Sequence, residues 1–306
     1  MADWPTIAVR LGLYASLTVA FGLAAFALYA LRADERRDAL ALRPWLVVGV
    51  AAATSLSALA LLLTASSMAG VGLTDLDRET VGLLVTAPGM GTAWQARGLA
   101  LLVAIGTIPF LGRGTAPLAV AAAALGVASA TLAWTGHGAA SEGAAGWAHL
   151  AADVAHLIAS GAWLGALAGL ALLLFPADAG RAHLILTHRA LHGFGVVGTV
   201  VVAVLVLSGL VNAWMLIGPD NVWAAVGTLY GRLLLAKLVL FGVMLALAAA
   251  NRWRLTPTFG RAIDTGHHDA ALALLRRSLA LEVTAAAVIL ALVAWLGTLA
   301  PPTAGG

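Results

Sequence analysis

Long apolar runs broken by short polar ones set the plan of this chain. Eight windows are apolar throughout, at roughly 6–31, 45–69, 93–111, 117–135, 147–175, 192–217, 228–250 and 279–299. Coiled as helices, runs of that length cross a hydrocarbon core of about 30 Å. The expected fold class is therefore all-α, a polytopic membrane bundle of about eight transmembrane helices. It reads as one transmembrane domain over 1–306, with four spans in 1–135 and four in 147–299. The first run is too long for a signal-peptide core and a charged loop follows it, so it is read as a retained span. Within loop 70–92, "TVGLLVTAP" is apolar but too short to cross; it suits a re-entrant or surface-lying segment, or an ordinary ordered loop. The loop 251–277 has room for a short amphipathic helix from Asp269 onward.

Polar residues between the runs give the orientation. Alternate loops hold four, one, two and five arginines, twelve in all, whereas the three opposite loops hold one, Arg78. The positive-inside rule makes the basic loops cytoplasmic and puts both termini outside. Trp45, Trp94, Trp147, Trp223 and Tyr230 flank the runs and suit an interfacial aromatic belt.

Composition agrees: 61% of residues are hydrophobic and 10% charged, against about 25% charged in a soluble domain. The net charge of +3 lies in short loops with no basic domain to grip a phosphate backbone, so no nucleic-acid partner is expected. Cysteine is absent, which removes disulfides, thiolate metal sites and cysteine nucleophiles.

The fifth run carries the candidate chemistry. In "WAHLAADVAHLIASGAWLG", His149, Asp153 and His156 stand at i, i+4 and i+7, on one helical face. His149 lies near the outer surface and His156 about 10 Å deeper. His137 and Glu142 precede them on the same side. An ionisable group inside a span costs roughly 2.5–3.5 kcal/mol on insertion scales, so it is expected to have a partner or a function. One reading is structural: Asp153 pairs with Lys237 at similar depth, and Arg97 and Arg232 lie shallower. The other is a ligand site, because imidazoles flanking a carboxylate are good metal ligands. Met68, Met90 and Met215 fall toward the same side, and Met244 lies deep. Thioether sulfur prefers Cu(I) and imidazole suits copper in either oxidation state, although methionine is also a common core filler. Asn212 and Ser208 are expected to hydrogen-bond across helices, with Gly209 allowing close approach. Glu282 is placed to reach headgroups or Arg276 and Arg277. His183, His188, His192, His267 and His268 are read as solvated loop or span-end residues.

The second half resembles the bacterial copper-resistance protein D family. The resemblance rests on "HLIASGAWLGAL", "LSGLVNAWMLIG" and "TLYGRLLLAKLVLFGVMLALAAANRWRLTP". That family's T-x-Y-G-R segment, lysine and N-R-x-x-L-x-P fall here on Thr228, Tyr230, Gly231, Arg232 and Lys237, then Asn251, Arg252, Leu255 and Pro257. Ser208 stands where the family usually has threonine and keeps the hydroxyl. The likeness covers about residues 147 to 299; the first four spans share only topology and "GHGAA" at His137. It implies a multi-pass protein of the bacterial inner membrane that takes up or delivers copper alongside a separate periplasmic copper carrier.

Three functions follow as expectations. The first is copper transport, with Cu(I) or Cu(II) captured by His137, His149, Met90 or Met215 and passed inward through His156 beside Asp153. The second is a haem-bearing electron carrier or quinone oxidoreductase using paired histidines. The third is a copper-binding assembly or sensor protein that moves no ion. The chain lacks H-E-x-x-H, G-x-S-x-G and P-loop patterns, so no enzyme activity is expected.

Overall fold

The computed structural model describes residues 3–112, 114–135, 143–176, 180–219 and 221–300. Twelve α-helices lie among them: α1 (Trp4–Ala30), α2 (Arg36–Ala39), α3 (Leu42–Ala69), α4 (Arg78–Thr86), α5 (Met90–Thr107), α6 (Thr115–Ala130), α7 (Gly143–Leu174), α8 (Arg181–Ile217), α9 (Val222–Val226), α10 (Leu229–Ala250), α11 (Thr256–Thr265) and α12 (Asp269–Leu296). Eight helical stretches are long and apolar enough to cross a membrane, each coinciding with one of the apolar runs. Val200, Leu207 and Leu210 on α8 and Leu238 and Val239 on α10 are more than half exposed. Such surfaces face acyl chains in a multi-pass membrane protein.

α1 is the hub. It packs on α7, α3, α6 and α12, and Leu17, Ala24, Phe26 and Ala27 are fully buried. Its closest neighbour is α7, through small residues. A Cβ on Gly22 would lie 2.8 Å from the Gly165 Cα, and one on Gly161 would lie 2.8 Å from Phe21. Without side chains there, the two backbones meet, as small-residue seams allow inside membranes. At the other extreme, only 6% of the apolar window of the α10 stretch is buried, against 56% for α1. α10 leans chiefly on α12.

Several arginines of the arginine-rich end have structural work. Both α1 and α7 end there, with carbonyls that lack intrahelical partners. Arg36 donates to the carbonyls of Ala27 (2.9 Å) and Leu28 (3.0 Å) and to Thr115 Oγ1 (2.9 Å), closing α1 and tying it to α6. Arg276 donates to Leu174 O (2.6 Å) and Pro176 O (2.9 Å), closing α7. Arg189 of α8 pairs with Glu35. Burial alone would raise the Glu35 carboxyl, but the Arg189 hydrogen bond and the Arg32 backbone N–H hold it below the usual range.

Some local expectations are corrected. "TVGLLVTAP" forms most of α4, a nine-residue helix capped by Asp77, which accepts from the Thr80 N–H at 2.7 Å. α4 lies against α5 and α3. The span helices overrun their apolar windows: α8 begins at Arg181 and α12 at Asp269, so Asp269 opens the last span rather than an amphipathic helix. The amphipathic helix is α11, with Pro257 in its first turn, where a missing N–H costs nothing, and Gly266 at φ 79° ending it. Of the five flanking aromatics, Trp94 and Tyr230 are buried against the protein, whereas Trp45, Trp147 and Trp223 are exposed. His183 is not a solvated residue, since its Nε2 lies 2.8 Å from Leu173 O, and His188 packs on Phe259.

Candidate functional site

α7 has two faces. One carries the glycines that meet α1. The other turns Asp153 and His156 toward Ser208 and Asn212 of α8; His149 and Met215 continue the two stripes at the same i, i+4, i+7 spacing. The helices are antiparallel neighbours, so the two stripes run in register as a ladder.

The lowest rung joins His156 to Ser208 at 3.0 Å, through Nδ1 and Oγ. Ser208 gives its only hydroxyl hydrogen to the Val204 carbonyl, 2.6 Å away. With the hydrogen directed there, its oxygen is left to accept, which assigns His156 the donor role from Nδ1–H. That tautomer leaves the Nε2 lone pair unprotonated, the state a metal-binding imidazole requires. In the middle rung Asn212 Nδ2 donates to Asp153 Oδ1 at 3.2 Å, while Asn212 Oδ1 is buried with no partner among the described residues. At the top, His149 is 2% exposed, and the register puts half-buried Met215 level with it.

Charged and phenolic groups surround the middle rung. Lys237 and Tyr230 of α10 feel the charge of Asp153, yet Lys237 makes no direct ion pair with it within 4 Å. From α1, Tyr14 lies in the field of Asp153, Arg10 and Arg97. Arg97, 1% exposed, stacks 4.5 Å over the Trp94 ring and donates from Nε to Thr131 Oγ1 at 2.8 Å. Its two terminal nitrogens have no partner among the described residues. The ladder continues down α7 by helical spacing to Trp163, where Phe194 of α8 and Phe241 of α10 close an aromatic cluster, each ring 6.3 Å from Trp163.

The structure thus brings His149, Asp153, His156, Asn212 and Lys237 to one face and sets Met215 level with them. It does not bring in Met90, which starts α5 among α3, α4 and α6, nor Arg232, which is exposed on α10. His137 and Glu142 lie outside the described residues. Among the described residues no three His, Asp or Glu side chains converge on a point that would hold a metal ion. The donors form a line rather than a cage.

Arg10 and Tyr14 were not singled out from sequence. Arg10 is the only charge in the first run and stands one turn from Tyr14, over whose ring it lies at 5.8 Å. The rule that flags any ionisable residue in a span would have found it. Glu282 pairs not with Arg276 or Arg277 but with Asn251, which donates to its Oε1.

Comparison with known proteins covers the whole chain. The family model for the copper resistance protein D-like N-terminal domain matches residues 1–147, and that for copper resistance protein D matches residues 188–296. Copper resistance protein D of Pseudomonas syringae pv. tomato is 44% identical over 310 residues, covering all of both chains. No solved structure matches.

Proposed function

Since the chain belongs to the copper resistance protein D family and so has a role in copper handling, we propose that it carries copper across the bacterial inner membrane along the α7–α8 ladder. The arginine-rich loops then face the cytoplasm, both termini face the periplasm, and a separate periplasmic carrier delivers the ion.

Copper first meets His149 and Met215, an imidazole and a thioether that suit Cu(I). It moves about 10 Å inward to His156, whose Nε2 carries the lone pair, beside the Asp153 carboxylate. Each stop offers a partial ligand set. A chain of weak sites lets an ion leave as well as enter, which a closed cage would prevent. Lys237 acts as the resident cation, keeping the buried Asp153 charge compensated when no copper is present. The Trp163–Phe194–Phe241 cluster is the constriction below.

The observation that carries this reading is the His156–Ser208 rung, since a serine spent on its own backbone fixes the imidazole in the metal-binding tautomer. The test is copper flux in proteoliposomes. Replacing His149 and His156 together by alanine abolishes accumulation while the protein stays folded; unchanged accumulation rejects the role. Binding by the wild type without flux would favour the assembly or sensor reading. A haem reading has less support, because both described outer-side histidines sit on α7, with no facing imidazole among the described residues.

A further inference from the structure

Below the aromatic cluster, at the arginine-rich end, α7, α8, α10 and α12 line a partly open cavity of about 330 Å³. Half of the residues in its wall are leucine, valine or alanine, but one side carries Glu282, Asn251 and Arg252. The backbone there is unusual: residues Asn251–Leu255 form a π-helical turn ahead of α11. Pro257 cannot donate to the Trp253 carbonyl, and the wider turn accommodates it; such turns recur at functional sites.

Glu282 is 1% exposed, about one turn inside the arginine-rich end of the last apolar run, with no cation bonded to it among the described residues. Arg252, which also lines the cavity, donates from Nη1 to Gly195 O (2.5 Å) and Thr199 and makes no ion pair with Glu282 within 4 Å. Arg276 is committed to the end of α7, and Arg261 and Asp264 on α11 are exposed. The halves of α7 and α10 lining the cavity contribute no ionisable group, and α1 contributes only Tyr29, packed on Phe26.

Among the described residues, no donor reaches Asn251 Oδ1 or the second Glu282 oxygen. Asn251 uses its N–H on Glu282 Oε1, while Asn251 Oδ1 is buried and has no partner among the described residues. The other Glu282 oxygen accepts nothing from the described residues. One turn away on the same face of α12, Ser278 Oγ is also buried and has no partner among the described residues. A proton on Glu282 supplies the missing donor and removes an unpaired charge from a low-dielectric site. A single carboxylate and an amide are too few and too hard to hold Cu(I) in place. The cavity has room for several waters, each needing about 30 Å³, to bring a proton in and out.

We propose that Glu282, held by Asn251 beside this cavity, is a proton-binding site that alternates between a proton and the passing copper cation. The alternation, though not the proton site, rests on the transport reading above. When the cation arrives, the Glu282 O–H bond breaks and the proton passes to cavity water; when the cation leaves, the proton returns. No electrons move.

Two measurements on the full-length protein test this. Infrared spectra of the wild type across a pH titration show a carboxylic-acid C=O stretch that Glu282→Gln removes and Asn251→Ala shifts. Absence of any Glu282-dependent stretch at every pH overturns the proton site. In proteoliposomes, acidifying the arginine-rich side slows wild-type copper release, whereas Glu282→Gln is slower by about tenfold or more and insensitive to pH. A Glu282→Gln protein with wild-type rate and pH profile overturns the alternation. Metal analysis of that variant, with unchanged copper on the ladder, shows that it has folded. If the wild type carries no copper while the Glu282 stretch is present, the transport reading and the alternation fall and the proton site stands.

Discussion

The two faces of α7 meet their neighbours in opposite ways. Toward α1, Gly161 and Gly165 meet Phe21 and Gly22 so closely that backbone touches backbone. Toward α8, the same helix presents the His156 imidazole and the Asp153 carboxylate, joined to serine and asparagine by hydrogen bonds of 3.0 and 3.2 Å. The first contact is dry and leaves no room for rearrangement. The second is polar, and its neighbour α10 is the least buried of the spans. In a bilayer, where lipid competes equally for apolar surface, close small-residue packing is what fixes one helix against another. The rigid seam thus lets the opposite face hold costly polar groups at defined depth.

Damage to the seam should have the largest effect. Gly165→Leu drives a side chain into the Gly22 backbone, which cannot yield as a flexible side chain would. Destabilisation of about 3 kcal/mol or more is expected, read as loss of folded protein in thermal unfolding in detergent. A Gly165→Leu protein that melts like the wild type would break the comparison.

Changes on the ladder should spare folding and weaken metal. Asn212→Leu leaves Asp153 without its donor, and Ser208→Ala removes the acceptor that orients His156. Loss of such supporting bonds typically costs 10–100-fold in metal affinity, so each variant is expected to bind copper about 10–100-fold more weakly. The melting temperature should move far less than for Gly165→Leu. Ser208→Thr keeps the hydroxyl and should bind within about threefold of wild type, since the orienting bond survives. Equal losses for alanine and threonine would mean that the hydroxyl does not orient the ring.

The seam was hidden in the sequence for the same reason that it works. Gly22, Gly161 and Gly165 are ordinary in a chain with 34 glycines, and which glycines meet depends on helix pairing. The eight spans were legible because hydrocarbon thickness sets a minimum apolar length. Their ends were not: His183, His188 and Arg189 interrupt the hydropathy of α8 without interrupting its helix. The stripe of His149, Asp153 and His156 was legible from 3.6-residue spacing alone. Its partners were only partly so. Asn212 and Ser208 were expected to bond across helices, but the rungs they make depend on the α7–α8 register. For Glu282 the sequence offered headgroups or, by nearness along the chain, Arg276 or Arg277, whereas its partner Asn251 arrives from another helical segment.

The smallest expected effect sharpens the contrast at the arginine-rich end, where Arg189 and Glu35 link α8 to the loop after α1. The Glu35 carboxyl titrates below its ordinary value, so its contribution is fully present above the unfolded-state value and lost as pH falls through the lowered one. The pair is partly exposed, and Glu35→Gln should cost about 1 kcal/mol or less. Acid unfolding curves of the variant and wild type should converge at low pH. Divergence that grows with acid would contradict the assignment.

Equilibrium copper content of the purified full-length protein, with X-ray absorption to identify the ligands, tests the central claim most directly. Wild type should hold copper with imidazole nitrogen in its coordination shell, and His149→Ala/His156→Ala should lose that copper while keeping its fold. A folded double variant with wild-type copper content and an unchanged absorption spectrum would contradict the ladder.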